Sequence, residues 1–283
     1  MPVDLTDIFA KYEALVAEVD ALFDKVKGLH PDLVSCGEGC SDCCHALFDV
    51  SLIEALYLNR HFNAELSGED KKRILQAAET ADRAHYKLKR KAFKATEKGV
   101  ATAQILEDLA KERIRCPLLS DQNRCEFYAQ RPVTCRLYGL PLDIGGAAHT
   151  CGKAGFKPGG AYPTVKIEVI QDRLMLLAQE FTQSINAKYP GLADMLVPVS
   201  MALLTEYDDE YLGVIPEDED DDDFPPAPAP GPKAAGPAAG DACASCGEDP
   251  FSSACKTCKS AGGGHSWTLP GPDPDKKNED DAS

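Results

Sequence analysis

The chain has 283 residues, and its 46 acidic and 30 basic side chains give it a formal net charge of −16 at pH 7. This acidic balance argues against nucleic acid or an anionic membrane as the main partner, because both are negatively charged and repel a protein of net negative charge. The charge is unevenly placed: residues 206–283 hold 19 acids and 5 bases and carry −14, which leaves −2 for residues 1–205.

The sequence shows no secretory signal and no membrane span. Its first residues, Met-Pro-Val-Asp, continue as an acidic amphipathic segment rather than a charged stretch followed by an apolar one. The most apolar windows, residues 174–181 and 192–204, are shorter than the roughly 18 to 20 residues needed to cross a bilayer. We therefore expect a soluble, cytoplasmic protein whose thiols are kept reduced.

The spacing of apolar residues predicts a mainly α-helical domain over residues 1–215. Ser51 followed by Glu54 has the pattern of a capping box, and Ser67 followed by Asp70 marks the start of a longer, mostly polar helix. Strand signals are few, with one short candidate in residues 136–142. The expected helices cover residues 4–27, a segment that starts at Ser51, and residues 67–97, 100–115, 165–187 and 192–206.

Eight cysteines fall in this domain, in two groups. Cys36, Cys40, Cys43 and Cys44 stand within nine residues, among glycines and a Ser-Asp pair that favour an irregular loop. Thiols this close together can converge on one metal ion. The second group lies in an irregular segment of residues 116–152 and consists of Cys116, Cys125, Cys135 and Cys151. Metal bound by both groups would connect distant parts of the chain, although any single member can instead be a buried apolar residue.

These motifs resemble the YkgJ-type cysteine-cluster family, a zinc- or iron-chelating domain named for its CxxCxxCC motif. The resemblance covers about residues 33–152 and rests on Cys40-Ser-Asp-Cys43-Cys44, Cys116-Pro-Leu-Leu, Cys125-Glu-Phe-Tyr and Arg131-Pro-Val-Thr-Cys135-Arg136-Leu-Tyr138-Gly139, ending at Cys151. It implies that all eight cysteines belong to a site for zinc or an iron–sulfur cluster. A similar cysteine region occurs in the flagellin lysine N-methylase FliB, which implies methyl transfer to a protein lysine as an alternative function.

Thiolates bind both zinc and iron–sulfur clusters, so the type of ligand leaves both open. Eight cysteines exceed the four of one structural zinc site, which favours a 4Fe–4S cluster. Five arginines near the second group, at positions 113, 115, 124, 131 and 136, can donate hydrogen bonds to sulfur, although surface ion pairs are an equal alternative. His45 and His149 flank cysteines and are candidate ligands. A histidine beside a metal site is more often a neighbour of the ligands, or solvated, than a ligand itself.

The spacing of Cys36, Cys40 and Cys43 also occurs in radical SAM enzymes. Those enzymes fold as barrels of alternating strands and helices, and the pattern here lacks the repeated apolar strands. Two glycine pairs, at 145–146 and 159–160, lack the strand–loop–helix context of a nucleotide site and indicate turns. The sequence therefore identifies no catalytic residue.

The chain changes character after residue 215. Residues 216–241 are expected to be a disordered linker, since residues 217–223 are seven consecutive acids and residues 224–240 are mostly Pro, Ala and Gly. In residues 242–268, Cys243, Cys246, Cys255 and Cys258 form two Cys-x-x-Cys pairs, the pattern of a small zinc-finger-like module with four thiolate ligands. Residues 269–283 are expected to be a disordered tail.

Together these patterns predict a metal-binding protein used for redox chemistry, metal handling or scaffolding. A further alternative is an interaction protein with purely structural zinc sites, in which the acidic linker binds a basic protein partner. Neither nucleic acid nor a membrane is expected as a partner. The identity of the metal, the division of the cysteines among sites and any substrate stay open at this point.

Overall fold

Helices dominate the part of the chain that the structure describes. The structure is a computed structural model and describes residues 3–37, 39–157 and 160–215. The α-helices in these residues are α1 Thr6–Leu29, α2 Leu52–Glu65, α3 Gly68–Glu97, α4 Thr102–Lys111, α5 Val133–Leu137, α6 Ile167–Ser184, α7 Val199–Leu204 and α8 Asp209–Leu212. The strands are short: β1 Asp49–Ser51, β2 Leu142–Ile144, β3 Ala147–His149, β4 Val165–Lys166 and β5 Leu196–Pro198. The predicted mainly α-helical fold class is confirmed.

Helices α2 and α3 begin where the sequence predicts, and α1 begins two residues later than predicted, at Thr6. The capping box at the start of α2 is present, since the Glu54 N–H donates to Ser51 Oγ and the Glu54 carboxylate accepts from the Ser51 N–H. Ser67 stands at the N-terminus of α3, but its side chain makes no capping bond there. The predicted helix 100–115 ends early, at Lys111, because Ile114 donates a backbone hydrogen bond to His45 instead of continuing the helix.

Pairing between distant segments shortens two further helices. Val165 and Lys166, predicted as helical, form β4 and pair in parallel with β2. Likewise, β5 takes residues from the predicted helix 192–206 and pairs antiparallel with β1, with Val197 opposite Val50. The predicted strand at 136–142 was mostly wrong, because residues 133–137 form α5 after Pro132 and only Leu142 lies in a strand.

Helix α2 is buried on both sides and separates two hydrophobic clusters. One cluster joins it to α1, α5 and α6, and its members include Tyr12, Leu15, Leu52, Ile53, Leu137, Ile170 and Phe181. The other joins it to α3, α7 and the β1–β5 pair, through Leu58, Phe62, Ile74, Ala78, Phe127 and Ala202. A fully buried large apolar side chain contributes about 1.5 to 3 kcal/mol, so these two clusters fix the position of α2.

A tight turn joins β2 and β3. Gly145 and Gly146 have φ values of 60° and 84°, the left-handed conformation that a two-residue hairpin of this kind requires. This agrees with the expectation that the pair is a turn. The other glycine pair and everything from residue 216 onwards, including the predicted linker, four-cysteine module and tail, lie outside or partly outside the described residues.

Within the described residues, none of the helices combines the length and the apolar composition required to cross a bilayer.

Candidate metal centre

One cavity collects seven of the eight cysteines in the described part of the chain. It has a volume of about 460 Å³ and is lined by Cys36, Cys40, Cys43, Cys44, Cys116, Cys125 and Cys135. All seven are free thiols. Apolar side chains form much of the remaining wall: Phe23, Phe48, Leu58, Leu118, Phe127 and Val199. The fold thus brings the two groups of cysteines together, although about 70 residues separate them in the sequence.

Backbone hydrogen bonds hold the adjacent pair Cys43 and Cys44 against Cys116. The pair lies in a single turn of 3₁₀ helix, Cys43–His45, in which neighbouring side chains point about 120° apart. The Cys116 N–H donates to the Cys44 carbonyl at 2.7 Å, and the Ile114 N–H donates to the His45 carbonyl at 3.1 Å. Because both sulfurs of the pair line the cavity, this turn can present two donors to one centre.

A small hairpin and a short helix place the next two thiols. In the hairpin, the Ser120 N–H donates to the Arg124 carbonyl and the Glu126 N–H donates to the Leu118 carbonyl, both at 2.8 Å. These bonds fix Cys125 opposite Leu119. Cys135 is the third residue of α5 and therefore moves with that helix.

A buried carboxylate from α2 holds the start of α5. Glu54 Oε1 accepts a hydrogen bond from the Val133 N–H at 2.9 Å, and Oε2 accepts from both the N–H and the hydroxyl of Ser51. No side chain at the α5 N-cap position, Pro132, provides such an acceptor. Burial raises the pKa of Glu54, while its hydrogen bonds oppose that rise. Glu54 therefore positions the helix that carries Cys135, without being close to it in sequence.

Cys36 lies in a space that only glycine at position 139 leaves open. A Cβ atom on Gly139 would stand 2.1 Å from Cys36 Sγ, far inside van der Waals contact. The loop around Cys36 is also tied to the segment after Cys151, because Ser35 Oγ donates to the Lys153 carbonyl at 2.6 Å. Cys151 itself is buried and stands outside the cavity lining, on the side of Cys36.

Hydrogen bonds among three of the thiols make their pKa values differ. Hydrogen bonds from the Cys135 and Cys44 thiols lower the pKa of Cys43 to about 3. The same hydrogen bonds to the Cys43 sulfur raise the pKa of both donors. Burial raises the pKa of Cys36 and of Cys116 to about 12. One thiolate thus forms readily at Cys43, whereas further deprotonation needs a compensating positive charge.

The chemistry of these donors fits a metal that prefers thiolate. Zinc and iron–sulfur centres both take thiolate ligands, and a bound cation supplies the positive charge that lets further thiols ionise. Among the described residues, no three side chains of Cys, His, Asp or Glu have the arrangement of a finished metal site. The cavity therefore gathers an excess of suitable donors without fixing which of them are ligands.

Residues 35–152 match the model of the CxxCxxCC family, described as a "putative zinc- or iron-chelating domain". The matched region covers 118 of the 283 residues and is similar to that family. The match supports metal binding, and it agrees with the resemblance drawn from the cysteine motifs. Searches of curated proteins and of solved structures gave no match to this chain.

The five arginines near the second cysteine group have different roles. Arg131 and Arg124 line the cavity, and the Arg131 guanidinium stacks 3.6 Å from the centre of the Tyr128 ring. Its positive charge lowers the pKa of Cys43 and opposes the burial that raises those of Cys36 and Cys125.

The other arginines bind protein oxygens. Buried Arg136 lines the cavity but donates to Asp20 at 2.6 Å and to the carbonyls of Ala129 and Arg131. Arg113 donates to Asp42 at 2.6 Å, and Arg115 donates to the carbonyls of Leu119 and Ser120. Arg113 therefore forms the ion pair that one alternative predicted. Arg131 acts on the sulfurs through its charge, and its Nε–H donates to the Tyr128 carbonyl at 2.9 Å.

The two candidate histidines differ from the cysteines in position. A ring nitrogen of His45 lies 3.0 Å from the Ser41 carbonyl, which orients the ring beside its own turn. His149 is exposed at the end of β3, opposite Leu142. Neither histidine is part of the cavity lining. Sequence analysis did not identify Gly139 or Glu54 as parts of this site, because their roles depend on contacts with residues more than 70 positions away.

Proposed function

We propose that the CxxCxxCC domain binds a 4Fe–4S cluster in the cysteine cavity, through four of its seven thiols. The observation that carries this proposal is the gathering of seven thiols around one volume of about 460 Å³. A closed tetrahedral zinc site holds four donors about 2.3 Å from the ion and leaves no comparable space between them. Zinc bound by the same thiols is the alternative, and the experiment below separates the two.

The ligands in this proposal come from the innermost thiols. Cys43, Cys44 and Cys135 are linked by thiol hydrogen bonds. Cys116 and Cys125 interact electrostatically with Cys44 and Cys135, and Cys43 in turn acts on Cys116 and Cys125. We assign four of these five as ligands. The outer set consists of Cys36, Cys40 and Cys151, of which only the first two reach the cavity.

The surroundings suit a redox or scaffolding role. A bound cluster supplies one-electron chemistry, with a potential that depends on nearby charge, hydrogen bonds to sulfur and access of water. Phe23, Phe48 and Phe127 provide apolar walls that limit that access, and Arg131 provides a positive charge facing the sulfurs. Apolar walls and a nearby cation adjust the potential of a bound cluster. A redox or scaffolding role requires no catalytic side chain in addition to them.

The test is to purify the full chain without oxygen and measure iron, acid-labile sulfide, zinc and the visible absorption spectrum. The proposal expects iron and sulfide in equal amounts, with broad visible absorbance that fades on exposure to air. The double variant C43S/C135S leaves only three of the five innermost thiols and should remove both, whereas serine at Cys243 and Cys246 should leave them unchanged. Zinc without iron, retained when Cys243 and Cys246 are replaced by serine, would replace the cluster assignment, and a folded protein with neither metal would end the proposal.

The four cysteines at 243, 246, 255 and 258 support a separate zinc proposal from their spacing alone. Removing residues 216–283 should then lower the zinc content by about one ion per chain and leave the iron content unchanged. If the zinc content did not change, the C-terminal zinc assignment would fail while the cluster proposal stood.

A further inference from the structure

The outer face of α3 carries two aromatic side chains that contact no hydrophobic core. Tyr86 and Phe93 are 64% and 65% exposed. They lie seven residues apart, which is about two helical turns, so they occupy the same side of the helix. The buried residues of α3, Ile74, Ala78 and Ala81, belong to its first half. The second half of the helix therefore presents an aromatic surface to solvent.

A stripe of cations runs beside these aromatics. Lys87, Arg90, Lys94 and Lys98 follow at spacings of three, four and four residues, which places them along one side of the helix. None of the four has an ion-pair partner among residues 3–37, 39–157 and 160–215, whereas other bases of this helix do: Arg83 pairs with Glu79, Lys89 with Asp49 and Lys91 with Glu112.

The helix dipole explains only part of this pattern. Cations are favoured within the last turn of a helix, which accounts for Lys94 and Lys98. It accounts neither for the two cations further from the C-terminus nor for the exposed aromatic rings. The combination of unpaired cations and aromatic rings instead fits an extended partner that is acidic and carries at least one apolar group.

We infer that this face of α3 binds the acidic segment of the same protein, residues 217–223, together with Phe224. The segment has seven consecutive acids and is followed directly by an aromatic residue, so it complements both features of the face. Its length also matches: the stripe from Lys87 to Lys98 rises about 17 Å, and seven extended residues span about 23 Å. The segment belongs to the same chain and begins two residues after Ile215.

This inference does not depend on the metal centre. The residues involved lie on α3 and beyond residue 215, whereas the cavity is lined by residues of α1, α2, α5, α7 and the cysteine loops. If the protein proved to bind no metal in the cavity, the inference about α3 would still stand.

A zero-length carbodiimide cross-linker, which joins lysine to carboxylate only at contact, tests the inference on the full chain. Mass spectrometry should find Lys98 joined to acids within residues 217–223, with a yield that falls strongly in 1 M salt because the Debye length is then about 3 Å. The double variant K87E/R90E leaves Lys98 in place and should lower that cross-link at least about tenfold. The control K25E/K72E makes the same change in net charge elsewhere and should have no effect.

A charge swap gives the sharpest outcome. Adding D220K/D221K to K87E/R90E should restore the cross-link of Lys98 to the remaining acids, because opposite charges then face each other again. The inference is overturned if Lys98 cross-links equally to acids throughout the chain, or if K25E/K72E has the same effect as K87E/R90E. It is also overturned if the segment does not cross-link while the wild type binds a single-stranded oligonucleotide that K87E/R90E releases, since the face would then serve nucleic acid.

Discussion

Glu54 and Val133 are joined by a 2.9 Å hydrogen bond between a carboxylate on α2 and the first backbone N–H of α5. This bond connects the helix that follows the first cysteine group to the helix that carries Cys135. It is buried, and it replaces the local cap that α5 lacks. The geometry of the cavity therefore depends on a residue that does not line it.

Replacing Glu54 by alanine should destabilise the domain and lower its metal content. Three donors, the Ser51 N–H, the Ser51 hydroxyl and the Val133 N–H, would lose their acceptor, at about 1 to 3 kcal/mol for each group left buried. We expect a loss of at least about 3 kcal/mol in urea unfolding. The control Ser51→Ala loses the cap of α2 at about 1 kcal/mol but keeps the bond to Val133. Equal metal loss in both variants would contradict this account.

The stability difference between the wild type and Glu54→Gln should depend on pH. Burial raises the folded-state pKa of Glu54 above its ordinary value of 4.5, so the folded protein holds this proton more tightly than the unfolded chain does. That contribution is fully present below about pH 4.5 and is lost as the pH rises through the folded-state pKa. Urea unfolding from about pH 4 to 7 should show the wild type losing stability relative to the glutamine variant. A difference that is constant or grows with pH would contradict the assignment.

Gly139→Ala should damage the site, whereas Gly152→Ala should not. The new methyl group at position 139 would overlap Cys36 Sγ, so the sulfur or the backbone must move. At position 152, beside Cys151, a methyl group meets no atom within 4 Å. We expect G139A to cost about 1 to 3 kcal/mol and to reduce bound metal. Metal content and melting temperature equal to those of G152A would show that Cys36 does not need this space.

Removing the charge of Arg131 should make the iron-loaded protein harder to reduce. A cation facing the sulfurs stabilises the reduced, more negative state, so R131M should lower the midpoint potential by about 30 to 60 mV. R131K keeps the charge and should recover most of the shift. R115M serves as the control, because Arg115 binds the Leu119 and Ser120 carbonyls and is not part of the cavity lining. An equal shift in R115M would show that only net charge matters.

The elements that could be predicted are those whose signals are local. The α2 capping box needs only Ser51 and Glu54, three residues apart, and α1 follows from its own apolar spacing. The cysteine spacing likewise indicated metal binding before any fold was known. Signals of this kind are contained within one or two helical turns and do not depend on the rest of the chain.

The parts that sequence reasoning missed depend on distant contacts. Residues 136–142 have the composition of a strand, yet α5 forms because Glu54 supplies its first acceptor from 79 positions away. Val165 leaves the predicted helix because it pairs with Leu142. The need for glycine at 139 follows from the position of Cys36. In each case a tertiary partner overrides a local preference, and that partner is visible only in the fold.

The most direct measurement is the metal content of the full chain with Cys243, Cys246, Cys255 and Cys258 all replaced by alanine, so that only the eight cysteines of the domain remain. Purified without oxygen, this protein should retain about four iron atoms per chain, and the further changes Cys43→Ser and Cys135→Ser together should remove them while the protein stays soluble enough to assay. If the eight thiols were instead all rapidly alkylated in a folded protein free of iron and zinc, the cysteine cavity would not be a metal centre.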